Sequence, residues 1–249
     1  MIVLLPPSET KRAGGDGQPL RLEALGSPQL TELRAALVDE LVALAADRQA
    51  SRRALALSAT QDAEIERNAT LRAAPTAPAI NRYTGVLYEA LDVASLRGAA
   101  AARAAARLAV GSALFGLLRA TDPVPAYRLS ASSKLPGRPG LAQRWRPVLE
   151  PVLAEIATAE LIVDLRSGSY AALAKIPGAV RVDVAAEHTD GRRVSVSHFN
   201  KAHKGRLARA LATTRSEPDD AAAVAMIARR AGMRVERDGH RLTVVVPAT

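Results

Sequence analysis

The chain has 249 residues, 48% of them hydrophobic, no cysteine and a net charge of +9. That length buries a sizeable core, and the missing cysteines exclude disulfides, thiolate metal sites and cysteine nucleophiles. No apolar run reaches the roughly eighteen residues of a membrane span, and Met1 leads straight into an apolar segment without a charged leader, so the expected setting is the cytoplasm without membrane contact.

In chain order, Met1-Ile2-Val3-Leu4-Leu5 reads as a buried strand stopped by Pro6-Pro7. Residues 12–19, rich in glycine, predict a flexible connector with little to pack. Ser27-Pro28 reads as an N-cap with proline at N1, opening a helix to about 46 with Leu30, Leu33, Leu37, Leu41 and Leu44 on its core face. Helices are predicted over 61–73 and 85–107, the second interrupted at Asp92 and Gly98. Short strands at 107–110 and 126–129 flank Gly111 to Asp122, and a helix with Trp145, Leu149 and Leu153 covers 139–157. Strands follow at 160–165, 179–186 and 193–198, the last two joined through Thr189-Asp190-Gly191. Helices at 200–213 and 218–231 lead to a final hairpin, 233–237 with 241–246, around Asp238-Gly239. The pattern predicts a mixed α/β fold without repeats: one compact domain over 1–249, with a mixed central sheet and helices around it.

The strong positive charge favours an acidic partner, nucleic acid or a small anionic ligand. Only five of the 34 cationic residues are lysine, and the arginine-heavy, alanine-heavy make-up supplies surface charge without any functional demand. The most pointed feature lies at 200–209. Asn200 reads as a helix N-cap, and Lys201, Lys204 and Arg206 fall in the first two turns, beside the positive end of the helix dipole where carboxylates are favoured. An anion bound to that turn removes the conflict, and lysines turned into water account for it equally.

Pro7-Ser8-Glu9-Thr10-Lys11 follows the first strand, where ligands bind in α/β sheets, and Glu9 with Lys11 also fits a surface ion pair. The Gly111–Asp122 stretch lines a cleft or holds a structural Arg119–Asp122 pair, with Tyr127 and Arg128 just beyond. Ser167-Gly168-Ser169-Tyr170 reaches the same sheet edge as Pro7 to Lys11 if the strands are parallel. Tyr83, Tyr127 and Tyr170 each have a cation within five positions and fit either base stacking or core capping. Nucleotide-binding glycine loops, His-Glu-x-x-His and Gly-x-Ser-x-Gly are absent, and the four histidines lack ligand spacing, so no metal or cofactor is expected. No nucleophile–base pair declares itself; Glu9 is the nominal general base for an enzyme acting on a small anion.

Taken together, six segments resemble the YaaA family of peroxide stress proteins: Leu4 through Glu9, Arg82-Tyr83-Thr84-Gly85-Val86-Leu87-Tyr88, Gly111 through Asp122, Pro125-Ala126-Tyr127-Arg128-Leu129, Asp164 through Tyr170, and Ser197 through Arg209. They stand in the family's order, near its spacing, and cover nearly the whole chain. The resemblance implies a mixed α/β domain of unusual topology with a basic cleft that binds duplex DNA, acting in cytoplasmic peroxide defence by limiting harmful free iron, which is not a bound cofactor. On this reading Lys201, Lys204, Arg206 and Arg209, with Arg119, Arg128 and Lys11, bind the anion. Ser8, Glu9, Tyr83, Tyr127, Ser167, Tyr170 and Asn200 line the cleft, and a monomer is expected. Two departures stand out. Where some family members carry Ser-Pro-Ala-Lys, Glu9 takes the lysine's place, and the family's helix-hairpin-helix region corresponds to 55–72, which here has no glycine.

Overall fold

A computed structural model describes residues 1–190, 192–195 and 199–248, apart from the side chains of Ser195 and Phe199. Gly191 of the predicted turn and residues 196–198 of the predicted strand lie outside the described residues. The first half contains β1 (Ile2–Leu5), β2 (Gly17–Pro19), α1 (Thr31–Leu44), α2 (Arg48–Leu55), α3 (Asp62–Ala69), β3 (Pro75–Pro78), α4 (Ala79–Arg82), α5 (Val86–Leu91), α6 (Gly98–Arg107), β4 (Leu108–Ser112), β5 (Gly116–Arg119) and β6 (Pro123–Val124). The second contains α7 (Leu141–Ala159), β7 (Ile162–Asp164), α8 (Gly168–Ala171), β8 (Val180–Glu187), β9 (Arg193–Ser195), α9 (Phe199–Thr213), α10 (Ala221–Arg230), β10 (Arg234–Asp238) and β11 (Arg241–Pro247).

The main sheet has the order β10-β11-β8-β7-β1-β4-β5, with β9 paired to β8. β11, β8, β7, β1 and β4 are mutually parallel along that order, while β10, β5 and β9 are antiparallel to their neighbours. β1 and β4 are buried throughout, as a parallel strand covered on both faces requires, which explains their continuous apolar runs. β2, β3 and β6 form a separate small sheet. The fold is therefore mixed α/β with helices around a mixed sheet, and one continuous hydrophobic cluster runs from Ile2 to Val246.

Several expectations are corrected. Residues 12–19 are not loose: the buried Arg82 guanidinium donates to the Arg12 and Gly14 carbonyls, and Gly17–Pro19 pairs with β3. Ser27 does not cap; its backbone is left-handed, and Pro28–Leu30 forms a 3-10 turn before α1. Helix α2 was not legible in the polar run Arg48 to Arg53. The stretch 111–119 is a tight antiparallel hairpin rather than a loop between strands, and Gly116, at φ +71°, makes the bend with the Trp145 ring packed where a side chain would be. Residues 126–129 form no strand. The Asn68 side chain takes both backbone groups of Arg128, at 2.9 and 2.8 Å, and so replaces a neighbouring strand.

Helices α2 and α3 pack against each other across a connection without glycine. Ala56 holds the left-handed position at φ 52°, and a Ser58/Gln61 capping box starts the next turn. Ala56→Gly is expected to raise stability by about 1 kcal/mol, measured by urea unfolding, because glycine adopts that conformation without the Cβ clash.

Helix α9 packs against α5, α6, β8 and β1. Its closest approach is at Gly205, where a Cβ would overlap the Leu87 carbonyl of α5 and the Ala90 methyl. The α6 arginines satisfy the end of α9: Arg103 donates to the Thr213 carbonyl, and Arg107 to those of Leu211 and Thr214. Gly205→Ala should force α5 and α9 apart and lower stability by about 1–3 kcal/mol in the same measurement; an unchanged midpoint would show that the two helices slide freely.

Candidate functional site

Because β1, β4 and β7 are parallel, the segments following them emerge at one sheet edge: residues 6–11, the 113–115 turn and residues 165–170. The alignment expected of Pro7–Lys11 with Ser167–Tyr170 is present, with Val3 opposite Val163 and Leu4 opposite Asp164. The chain leaves β1 toward β4 on one side and returns on the other through β7, so β1 borders a topological switch point, where ligands bind in open α/β sheets.

Lys11 is the centre of this edge. Only 9% exposed, its Nζ donates to the Ser8 carbonyl at 3.1 Å and the Glu9 carbonyl at 3.3 Å. It stands 4.2 Å from the centre of the Tyr127 ring and 5.4 Å from that of Tyr83. Behind it runs a hydroxyl chain: Ser112 Oγ to Tyr127 Oη at 2.7 Å, and Tyr127 Oη to Tyr83 Oη at 2.8 Å. Ser112 Oγ already accepts the Leu114 and Phe115 N–H groups, so its own proton goes to Tyr127, and the Tyr127 proton goes to Tyr83. Burial holds both phenols well above their ordinary range, so both stay protonated and neither is a phenolate. Tyr88 stacks on Tyr83 and donates to the Pro6 carbonyl at 2.9 Å.

Around this core, the Glu9 carboxylate meets Arg128 Nη2 at 3.0 Å and not Lys11, so the expected Glu9–Lys11 pair is replaced by a carbonyl contact. Ser8, Thr10 and Thr84 share hydroxyl contacts at 3.1 Å. Ser167 is exposed beside Ser169, while Tyr170 is half-buried and its hydroxyl is pushed up by burial and then by Tyr127. A buried Asp164–Arg166 pair at 2.9 Å braces the loop after β7, and Arg166 also donates to the carbonyls of Tyr170 and Ala174.

The α9 cations divide. Lys204 turns inward, donating to the Leu165 carbonyl at 3.0 Å, and burial lowers its pKa. Arg209 donates to the Leu91 and Asp92 carbonyls and to Ser95. Lys201 and Arg206 are exposed. Asn200 is not the cap expected of it: the helix already includes Phe199, and Asn200 Oδ1 is buried without a partner among the described residues. Arg206 and Arg209, with His203 and Arg234, line a groove of about 740 Å³ that also holds Glu187 and the apolar side chains of Met233 and Val244. Arg119 stands apart from these groups. Asp122 accepts its backbone N–H and that of Gly26, so the two residues form a turn and not a side-chain ion pair.

The residues missing from the sequence reading are Ser112, Asn68, Asp164 and Arg166. A serine ending an apolar strand and an Asp-x-Arg following one were visible signals for the first and the last two; nothing in a helix predicts that Asn68 clamps a distant backbone. No group of three or more potential metal ligands occurs among the described residues.

Burial, then the charge of Arg128, lowers the Lys11 pKa from 10.5 to about 7. Between about 7 and 10.5 the unfolded chain keeps a proton here that the folded chain has released, so this group makes stability rise with pH across that window, with the full penalty present below it. At about 1.4 kcal/mol per unit the ceiling is about 5 kcal/mol, lowered by the carbonyls and ring faces, which favour the ammonium. Lys11→Met removes the group from this balance. Unfolding of parent and variant across that window should show the parent gaining on the variant as pH rises; a constant difference would mean an ordinary lysine.

Comparison with known proteins places the sequence in a family. The family described as "Peroxide stress protein YaaA" matches residues 1–232. A UPF0246 protein of Corynebacterium efficiens is 49% identical, covering 99% of this chain and all of the relative. One of Streptomyces coelicolor is 46% identical over 96% of this chain and 93% of its own length, and one of Shewanella loihica is 29% identical over 84% of each. With the family match reaching from β1 through α10 and the Corynebacterium efficiens relative aligned over 99% of the chain, the chain belongs to the YaaA family of peroxide stress proteins.

Proposed function

We propose that the chain serves in peroxide defence by binding duplex DNA without sequence preference, and that this limits damage from free iron. The observation that carries the reading is the division of labour on α9. Lys204 and Arg209 fasten the helix to the loops after β7 and α5, and Lys201 and Arg206 are left exposed on a rigid support. The net charge of +9 and the place of Arg206 on the rim of the adjoining groove support a phosphate-tracking surface, while Arg209 there is held by carbonyls and Arg234 by Glu187 and Glu236. A pinned helix spares the backbone ordering that contact with phosphate otherwise costs, leaving only the rotamer freedom of the exposed side chains to be lost. Contacts of this kind position a protein on the backbone and read no bases.

The link to iron follows from the same electrostatics. Duplex DNA carries a condensed layer of counterions, and each phosphate neutralised by a protein cation releases some of it. In a cell under peroxide stress that layer includes ferrous iron, whose reaction with peroxide is damaging chiefly where the iron sits. Displacing it from the backbone moves the reaction away from the DNA without any iron site in the protein.

Anisotropy of a labelled duplex should show affinity falling steeply between about 50 and about 200 mM salt, with each phosphate contact contributing about 0.9 to the logarithmic slope. The combined Lys201→Ala and Arg206→Ala variant should weaken binding to all sequences alike and reduce the slope by about 2. Lys204→Ala is unsuitable because it also breaks the link to Leu165. A salt-independent affinity, or an unchanged slope in the double variant, would overturn the reading.

A further inference from the structure

Four arginines of this chain are buried, and they behave alike. Arg34, Arg82, Arg107 and Arg166 each make four side-chain hydrogen bonds, to carbonyl or carboxylate oxygens. That is the expected condition, since a shielded guanidinium with idle donors is costly. Arg144, nearly as shielded, is held by two parallel bonds to the carboxylate of Glu40, itself largely buried.

Arg128 breaks the rule. Its side chain is 12% exposed, yet among the described residues its guanidinium has one hydrogen-bond partner, Glu9 Oε2 at 3.0 Å. Five N–H donors are available in a planar fork that matches a carboxylate. Glu9 is 67% exposed, and its carboxylate has no second partner among the described residues. The pair therefore joins a firmly placed cation to a free-standing anion. The Arg128 backbone is fixed by Asn68 at both N–H and C=O, so the cation stays while the glutamate is free to swing.

The surroundings favour a negative guest. Lys11 lies close enough for Arg128 to act on it electrostatically, as does Arg67 of α3. Three cations thus stand near two carboxylates, Glu9 and Glu64; Arg67 holds Glu64 through Oε1, and Glu64 Oε2 is buried without a partner among the described residues. The group stands at the switch-point edge, beside the loop after β1.

We propose that Arg128 and Lys11 form a binding site for a small carboxylate metabolite, which the Glu9 side chain occupies in the free protein as an internal stand-in. A carboxylate fits better than a phosphate because the fork is planar and because the group resting on it is a carboxylate. The site is separate from the exposed cations of α9 and does not depend on the DNA reading.

Calorimetric titration of the full chain with acetate, succinate and citrate, with inorganic phosphate and a short duplex as parallel arms, tests this. At least one carboxylate should bind at one site per chain and more tightly than phosphate. Glu9→Gln removes the internal competitor, an exposed pair worth up to about 1 kcal/mol, and should tighten binding two- to five-fold. Arg128→Gln should abolish it. Tightening in Glu9→Gln is the distinctive result, because a merely structural Glu9–Arg128 pair would leave binding unchanged or weaken it, and it holds even if Arg128→Gln proves unstable. No heat from any carboxylate with either parent or Glu9→Gln, phosphate binding as tightly as the carboxylates, or duplex binding that alone disappears in Arg128→Gln would each overturn the assignment. The last outcome would give Arg128 to the nucleic-acid backbone.

Discussion

The buried guanidinium set against backbone carbonyls is the interaction on which this fold rests. A sheet with an internal hairpin and several non-helical crossings leaves carbonyl oxygens in the core with no strand beside them, and each must find a donor. Arg34 takes those of Gly26, Phe115 and Leu117, which secures both sides of the β4–β5 bend to the segment before α1. Arg82 takes those of Arg12, Gly14, Pro75 and Val124 and so draws together four separate stretches of chain. Arg107 closes the end of α9, and Arg166 closes the loop after β7. A hydrogen bond to a charged donor contributes roughly 1.5–3 kcal/mol, which over four bonds offsets the several kcal/mol lost in desolvating the cation. Burial still weighs on the charged form: the Arg34 pKa is lowered to about 10, with Asp122 the opposing influence. Removing one of these side chains would strand up to four carbonyls together, so the cost belongs to the network and not to any one pair.

These clamps explain how the sheet can present a site at all. The parallel strands β1, β4 and β7 end within one layer; the turn after β4 is held by the buried Ala113, Leu114 and Phe115, but the loops leaving β1 and β7 carry proline, serine and glycine with little apolar content to hold them. Left to propensity they would be mobile. Arg166 with Asp164 fixes one of them, Lys204 reaches from α9 to the same loop, and the Ser112–Tyr127–Tyr83 chain ties the others beneath Lys11. The geometry of the edge is therefore set by buried polar contacts made across long sequence separations, with the apolar core supplying the platform.

That arrangement also decides what could be read from the sequence. β1, β7, β8, the final hairpin, α1 and α7 are legible because each is written in a local signal: a continuous apolar run, a three- and four-residue period, or an Asp-Gly turn. The β4–β5 hairpin is not, because Gly111 and Gly116 look like a break when they in fact permit a bend against Trp145. Ala126 to Leu129 is a largely buried run, but the backbone of Arg128 within it is satisfied by Asn68, 60 residues away in sequence, which no local pattern encodes. The site was legible as a set of segments and illegible as contacts. Ser8, Glu9, Lys11, Tyr83, Tyr127, Arg128, Ser167 and Tyr170 stand in the segments singled out from the sequence, yet of the two readings of Lys11 the Glu9 carboxylate pair does not form, and Lys204, read as an anion-binding cation, faces inward to a carbonyl.

Charge shows the same limit in a form that bears on function. A net charge of +9 invites a picture of a uniformly cationic surface, but Arg34, Arg82, Arg107, Arg166, Lys11 and Lys204 are all buried. Their charge is spent on carbonyls and rings, and what reaches solvent is less than the count implies. The remaining cations fall into two physical kinds. Lys201 and Arg206 are open to water, where a Debye length of about 8 Å at physiological salt screens anything they attract, so they suit a partner with many regularly spaced charges. Arg128 is shielded, so salt screens its charge less than theirs. Many weak, screened contacts and one less screened contact call for different burial of the same residue type, and this chain holds arginine in both settings, exposed at Arg206 and shielded at Arg128.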